Sequence, residues 1–284
     1  MHALPTLAAL AAALLLTPPI LRHLQAEGFT RANYRGVELP FPGGIAIVAA
    51  GVLAVGLCSA VAAIGEVDLF DFGAPIGLTY PLGVALLGLI DDLLAGSSRG
   101  WRGHGRAVLA GEFSTGALKA VGSLALALYV LDGTAYSEGV PEYLLAVALL
   151  VLTTNLFNLL DLRPGRAAKA FLLFGVVISL LAWDARWEQG VLLWFVGPLA
   201  APILVVGWYD LRERTMLGDV GANFIGAVAG LWLLSAFDTT GQIVALVLVL
   251  AITVLGEFRS LTTLIERVPL LRDIDSIGRN EPHA

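Results

Sequence analysis

Cysteine is nearly absent from this chain: Cys58 is the single one among 284 residues, and it lies within an apolar run. A disulfide framework is therefore excluded. Charge is scarce too, at 14% of residues, against 57% hydrophobic residues and a mean hydropathy of +0.82. The four histidines, His2, His23, His104 and His283, show no metal-ligand spacing, which disfavours zinc. His104 falls in a basic loop and is read as solvent-facing. Short segments of alternating hydrophobicity are missing, which argues against a transmembrane barrel. What remains is a series of apolar runs along the whole length. Backbone in lipid is satisfied only by helices or closed barrels, so the chain reads as an all-α polytopic membrane protein.

Nine spans are expected, at 3–21, 43–64, 74–90, 115–131, 142–160, 167–183, 190–208, 221–237 and 241–258. The first has no Lys or Arg before it and is followed by Arg22, and it has no convincing small-residue cleavage site. It is read as a helix and not as a signal peptide. A further scarcity sets the orientation. Of 17 basic residues, only Arg186 falls in a loop on one of the two faces. Those loops instead carry Glu66, Asp68, Asp71, Asp132, Glu138, Glu142, Asp184, Glu188 and Asp238. The positive-inside rule then predicts the N-terminus outside, with the odd-numbered loops and the C-terminus in the cytoplasm.

Four short polar segments interrupt the apolar sequence, and all fall on that cytoplasmic side. They are Pro40-Phe41-Pro42-Gly43-Gly44, Gly88-Leu89-Ile90-Asp91-Asp92, Asn155-Leu156-Phe157-Asn158-Leu159-Leu160-Asp161 and Met216-Leu217-Gly218-Asp219. Carboxylates this close to hydrocarbon are costly and usually mark function.

Asp91 and Asp92 end the third span, and neighbours on a helix point about 100° apart. One is therefore suited to a metal and the other to a cation or substrate, unless the pair simply ends a helix in water. Asn155, Asn158 and Asp161 follow an i, i+3, i+6 pattern and share one helix face. Such a stripe suits either a hydrated cation or phosphate ligand, or hydrogen bonding between helices. Asp219 opens the eighth span, where it either caps the helix or places an oxygen ligand beside a pyrophosphate. Oxygen ligands without His or Cys clusters favour Mg2+, with Mn2+ the alternative. Lys119, one of two lysines, either snorkels to headgroups, pairs with Asp91 or Asp92, or holds a phosphate.

In this order the segments resemble the polyprenyl-phosphate N-acetylhexosamine-1-phosphate transferase superfamily, glycosyltransferase family 4. Its members include phospho-N-acetylmuramoyl-pentapeptide transferase and undecaprenyl-phosphate GlcNAc-1-phosphate transferase. The resemblance runs over residues 33–230. Residues 33–47 are similar to the family's first cytoplasmic loop, and Asp91 with Asp92 to its paired-aspartate motif. Lys119 is similar to the lysine of the next helix, 155–161 to half of its Asn-Leu-x-Asp-Gly-x-Asp-Gly motif, and 216–221 to its Gly-Asp-x-Gly motif.

The resemblance implies that Asp219 ligates magnesium on the donor pyrophosphate. It implies that Asp91 and Asp92, with Lys119 nearby, place or activate the lipid phosphate, and that Asn158 and Asp161 complete the polar floor, with Asn155 and Asn158 as substrate contacts. Gly43 and Gly44 are implied substrate contacts. The implied partners are undecaprenyl or another polyprenyl phosphate, a nucleotide sugar and the lipid bilayer of a bacterial plasma membrane. A homodimer is a further expectation, and nucleic acid is not among the partners.

The chain departs from the pattern at several points. The family's second aspartate, associated with reading uracil, falls on Pro164, so the donor need not be a UDP-sugar. Phe41 and Pro42 stand where a basic residue often precedes the Gly-Gly turn. The family's histidine-rich loop and tenth span have no counterpart. Arg163 and Arg166 are candidate replacements as anion contacts, because Arg suits phosphate geometry; positive-inside charge accounts for them equally well. After a transmembrane unit at 1–258, a tail at 259–284 reads as an amphipathic helix for the interface or for a protein partner.

Three functions are then open: a sugar-1-phosphate transferase, a relative that binds lipid phosphate or an envelope partner without turnover, and a transporter. Clustering of the polar groups at one face disfavours the transporter. The retained carboxylates favour the enzyme.

Overall fold

Within the described residues, each apolar run marked as a span contains a helix, since a helix satisfies its own backbone hydrogen bonds where water is absent. The computed structural model describes residues 3–67, 69, 76–94, 114–181, 196–258 and 261–279. Its elements are α1 (Leu4–Ala26), a hairpin of β1 (Thr30–Ala32) and β2 (Glu38–Pro40), α2 (Ile45–Gly65), α3 (Ile76–Leu94) and α4 (Thr115–Leu131). They continue with α5 (Val140–Leu160), α6 (Arg166–Leu181), α7 (Gly197–Leu211), α8 (Gly218–Ala236), α9 (Thr239–Phe258), α10 (Leu261–Arg267) and α11 (Pro269–Ser276). The protein is an all-α polytopic membrane protein. Six helices, α1, α2, α3, α5, α8 and α9, are long and apolar enough to cross a membrane; α4 and α7 are shorter apolar helices. The expected loop arginines Arg99, Arg102 and Arg106, His104 and Arg186 lie outside the described residues.

Helix α8 is the axis of the bundle. Of its apolar window 89% is buried, against 17% for α9, so α8 is enclosed by protein while α9 presents most of its surface outward. It packs chiefly on α3 and α5, while α1 packs on α2 and α7. Small residues make this approach possible: Gly226 meets Thr154 and Gly230 meets Leu150, both on α5. An aromatic seam of Phe157, Phe171, Phe174 and Trp232 joins α5, α6 and α8, with ring centroids 5.8–6.4 Å apart. The Tyr80 hydroxyl lies 3.2 Å from that of Thr154, a buried polar tie between α3 and α5.

Two expectations are corrected. The third helix does not end at the aspartate pair but continues to Leu94, so Asp91 and Asp92 lie in its last turn. The tail is not one helix. It breaks at Val268, held extended at φ −97° and ψ 110° before Pro269, because proline disfavours helical geometry in the residue before it. Nor does the tail stand free: it folds back onto the start of α6, where Arg166 is paired with Asp275.

Candidate active site

The end of α3, the start of α4, the end of α5 and the start of α8 meet at one end of the bundle. Ser114 caps α4 by accepting from the Ala117 amide at 3.2 Å, which fixes where that helix begins. Lys119 then falls just beyond its first turn, facing α3 and α8. Its ammonium donates to Asp91 Oδ2 at 2.9 Å and makes a short ion pair with Asp219 Oδ2. Asn158 completes the group: with its amide turned so that both ends are satisfied, its nitrogen donates to Asp219 Oδ1 at 3.1 Å and its oxygen accepts from Lys119 Nζ at 3.3 Å. Four side chains from four helices are thus bound together. Of the options open for Lys119, the structure shows pairing with carboxylates.

Asp92 points elsewhere, as the angular offset from Asp91 requires. Its Oδ1 and Oδ2 accept from the backbone amides of Asp219 and Val220, both at 3.0 Å. It therefore caps α8 from another helix, satisfying two donors that no residue of α8 can reach. Asp219 itself does not cap; it lies in the first turn, and no side chain of α8's own N-cap residue, Leu217, does so. This arrangement needs glycine at 218, where φ is +73° and a Cβ would fall 2.6 Å from Asp92 Oδ2.

The Gly-Gly turn packs against the same region. The amides of Gly43 and Gly44 donate to the carbonyls of Met216 and Leu217 at 2.7 and 2.9 Å. Both N–H groups zip the turn to the segment before α8.

Asp161 follows the last residue of α5. Burial, together with the charges of Asp210, Asp219 and Asp92, pushes its carboxyl well above the ordinary carboxylate range, against the pull of Arg166. Asn155 lies further back along the same helix. Among the described residues it makes no hydrogen bond to Asp91, Lys119 or Asp219.

The two candidate anion contacts have partners of their own. Arg163 stacks 4.4 Å over the Tyr34 ring and reaches Glu266 at 3.7 Å. Arg166 is buried, and its Nε and Nη2 both donate to Asp275 at 2.9 Å. Its guanidinium is committed to the tail, because a buried arginine needs a paired carboxylate more than a distant substrate.

Several groups at this end escaped sequence reasoning. Asp210 is buried, and its Oδ2 accepts from the Gly165 amide at 2.7 Å. A carboxylate in the last turn of an apolar helix was the available signal, the same one that marked Asp91. Arg31 lies beside the site, 3.7 Å over the Phe41 ring, donating to the Asp92 carbonyl at 3.0 Å. Glu213 anchors the hairpin by accepting from Asn33 Nδ2 at 2.9 Å and Arg35 Nε at 3.1 Å. Glu213→Gln is expected to loosen the hairpin, read as faster hydrogen exchange of the amides of β1 and β2 with α8 amides unchanged. Unchanged hairpin exchange would show that the Pro40 carbonyl, which accepts from the Met216 amide at 3.1 Å and the Thr215 hydroxyl at 2.8 Å, suffices to hold it.

Among the described residues, no three His, Cys, Asp or Glu side chains are grouped so as to hold a metal by themselves. The donors that do converge, the carboxylates of Asp91 and Asp219, are oxygen ligands, and together they carry more charge than Lys119 offsets. Magnesium is usually held in this way, by one or two carboxylates with substrate phosphates and water completing the shell. The residues present fit that ion.

Against known proteins, the family model described as Glycosyl transferase family 4 matches residues 75–237, over half of the chain. No curated protein matches the chain.

Proposed function

The chain belongs to glycosyl transferase family 4, and from that premise we propose that it moves a sugar-1-phosphate from a nucleotide sugar to a polyprenyl phosphate, releasing a nucleoside monophosphate. Membership makes it a membrane transferase of the sugar-phosphate class. The observation that carries the finer reading is Lys119 held between Asp91 and Asp219, with Asn158 bridging Lys119 and Asp219.

In this reading an oxygen of the lipid phosphate attacks the phosphorus bearing the sugar. A new P–O bond forms, and the P–O bond to the nucleoside monophosphate breaks, its electron pair leaving on the nucleotide's phosphate oxygen. Phosphoryl transfer of this kind needs positioning and charge compensation more than covalent help. Lys119 supplies a cation that Asp91, Asp219 and Asn158 hold in one place. Asp92 acts one step back, fixing the start of α8 and so the direction of the Asp219 side chain. Asp219 and Asp91 would hold magnesium, which when bound offsets charge on the phosphates. Arg31, half exposed beside Asp92, is placed to meet an incoming phosphate.

The site lies at the end of the bundle that the arginine distribution assigns to the cytoplasm. We place the N-terminus outside, nine spans across a bacterial plasma membrane, and residues 1–258 and 259–284 as transferase unit and tail. One observation favours a second reading, a binding protein without turnover: Pro164 stands where the family's second aspartate would help to read the base. The two separate in one assay. Purified protein with magnesium, undecaprenyl phosphate and a panel of nucleotide sugars is expected to release nucleoside monophosphate from at least one donor. Release from none, with lipid phosphate still bound, would leave the binding protein.

A further inference from the structure

We propose that the C-terminal tail is part of the working site: Asp275 and Arg279 are positioning residues that hold the loop between α5 and α6, and through it Asp161. The kinetic side of this proposal rests on the transferase reading above; the structural side does not.

Five residues, 161–165, join α5 to α6. Asp161 is the first of them, so its direction depends on how the loop is held. One anchor is internal to the bundle, the Asp210 carboxylate on the Gly165 amide at 2.7 Å. The others come from the tail. Arg279 Nε donates to the Pro164 carbonyl at 3.2 Å, and its Nη2 donates to Asp275 Oδ1 at 2.6 Å. Asp275 in turn accepts from Nε and Nη2 of Arg166, the residue at which the loop becomes α6. Thr262 of α10 accepts from Arg166 Nη1 at 3.0 Å. Lys169, nearly one turn further along α6, donates to the carbonyls of Ile274 and Ile277, each at 3.2 Å, closing the end of α11.

Burial separates this arrangement from a surface contact. Arg166 and Asp275 are both buried, whereas the neighbouring Arg272–Asp273 pair on α11 is exposed. A buried ion pair broken on one side leaves an uncompensated charge that the structure around it must move to relieve. Here the structure around it is the loop carrying Asp161. Pro164 also offers no amide, so its carbonyl is the backbone group by which that residue can be held. The tail therefore grips the loop at the position where this sequence departs from the family pattern. Asp161 in turn lies within electrostatic reach of Asp92, Asp210 and Asp219, so a shift of the loop is felt across the site.

The test uses the full chain in lipid nanodiscs with the variants Asp275→Asn, Asp275→Glu, Arg279→Ala and Arg272→Ala. Asp275→Asn is expected to raise hydrogen exchange of the loop and early α6 amides by about tenfold or more. It should lower kcat by roughly tenfold with a smaller change in KM for the lipid phosphate, as expected when a reacting geometry is loosened. Asp275→Glu should recover part of both losses, and Arg272→Ala should change neither. Arg279→Ala is the milder substitution and replaces Asp275→Asn if that variant does not fold. Unchanged loop exchange overturns the proposal, and so does a loosened loop with kcat intact. Should the wild-type protein turn over no donor, the transferase reading fails by itself, and the exchange measurements alone decide whether the tail holds the loop.

Discussion

Asp219→Asn should abolish nucleoside monophosphate release, with kcat falling on the order of 10³-fold, the scale seen when a preorganised electrostatic group is removed from a reacting centre. The substitution is close to isosteric. The contacts that position residue 219 are mostly backbone contacts: its own amide is held by Asp92 Oδ1, and the next amide by Asp92 Oδ2. Lys119 keeps Asp91 as a partner. The fold should therefore survive, with a melting temperature near that of the wild type. What is lost is one of the two carboxylates that converge with Lys119, and with it the charge needed by a cation on the pyrophosphate. Magnesium dependence supplies an independent check: residual activity in the variant should need more of the ion. Unchanged turnover at the wild-type magnesium optimum would sink the assignment of Asp219.

Gly88→Ala should be the most damaging single-methyl substitution on α3. A Cβ at residue 88 would lie 2.6 Å from the carbonyl carbon of Asp219 and 2.8 Å from Asn223 Nδ2. The first of these is backbone, which cannot rotate away. Helices α3 and α8 must then separate, at a cost of about 1–3 kcal/mol or more. Asp92 lies one turn along α3 from this contact, so the same separation pulls its carboxylate off the start of α8. Activity and stability should fall together. Gly56→Ala on α2 is the control, since nothing lies within 4 Å of its Cβ. That change should be neutral or stabilising by up to about 1 kcal/mol, the helix-propensity difference. Thermal melts in one detergent compare the pair. If Gly88→Ala melts with Gly56→Ala, the close approach of α3 and α8 is not what glycine 88 serves.

The sequence made legible what depends on chemical type and local period. Apolar runs gave the helices, and their ends shifted by a few residues because hydropathy does not register capping. The common end of Asp91, Asp161, Asp219 and Lys119 followed from arginine placement and from residue order. Partners chosen through space were not legible. Arg166 and Asp275 are 109 residues apart, and a charge pattern that explains an arginine by the membrane cannot say which carboxylate it meets. Helix geometry separated Asp92 from Asp91 in advance, but that its partners are the amides at the start of α8 shows only in the folded chain. The carbonyls of Met216 and Leu217 that take the amides of Gly43 and Gly44 are likewise brought to them only by the folded chain. The break in the tail was the exception: Pro269 was there to be read, and the amphipathic pattern hid it.

The cap that Asp92 places on α8 has a consequence for selectivity. The start of a helix carries a partial positive charge and free amides, and it commonly binds phosphate directly. Here that binding place is filled by an anion built into the protein. A substrate phosphate that enters is met instead by side-chain cations, Lys119 and Arg31. The start of α8 is already matched by the Asp92 carboxylate, so free phosphate and sulfate gain no foothold on it.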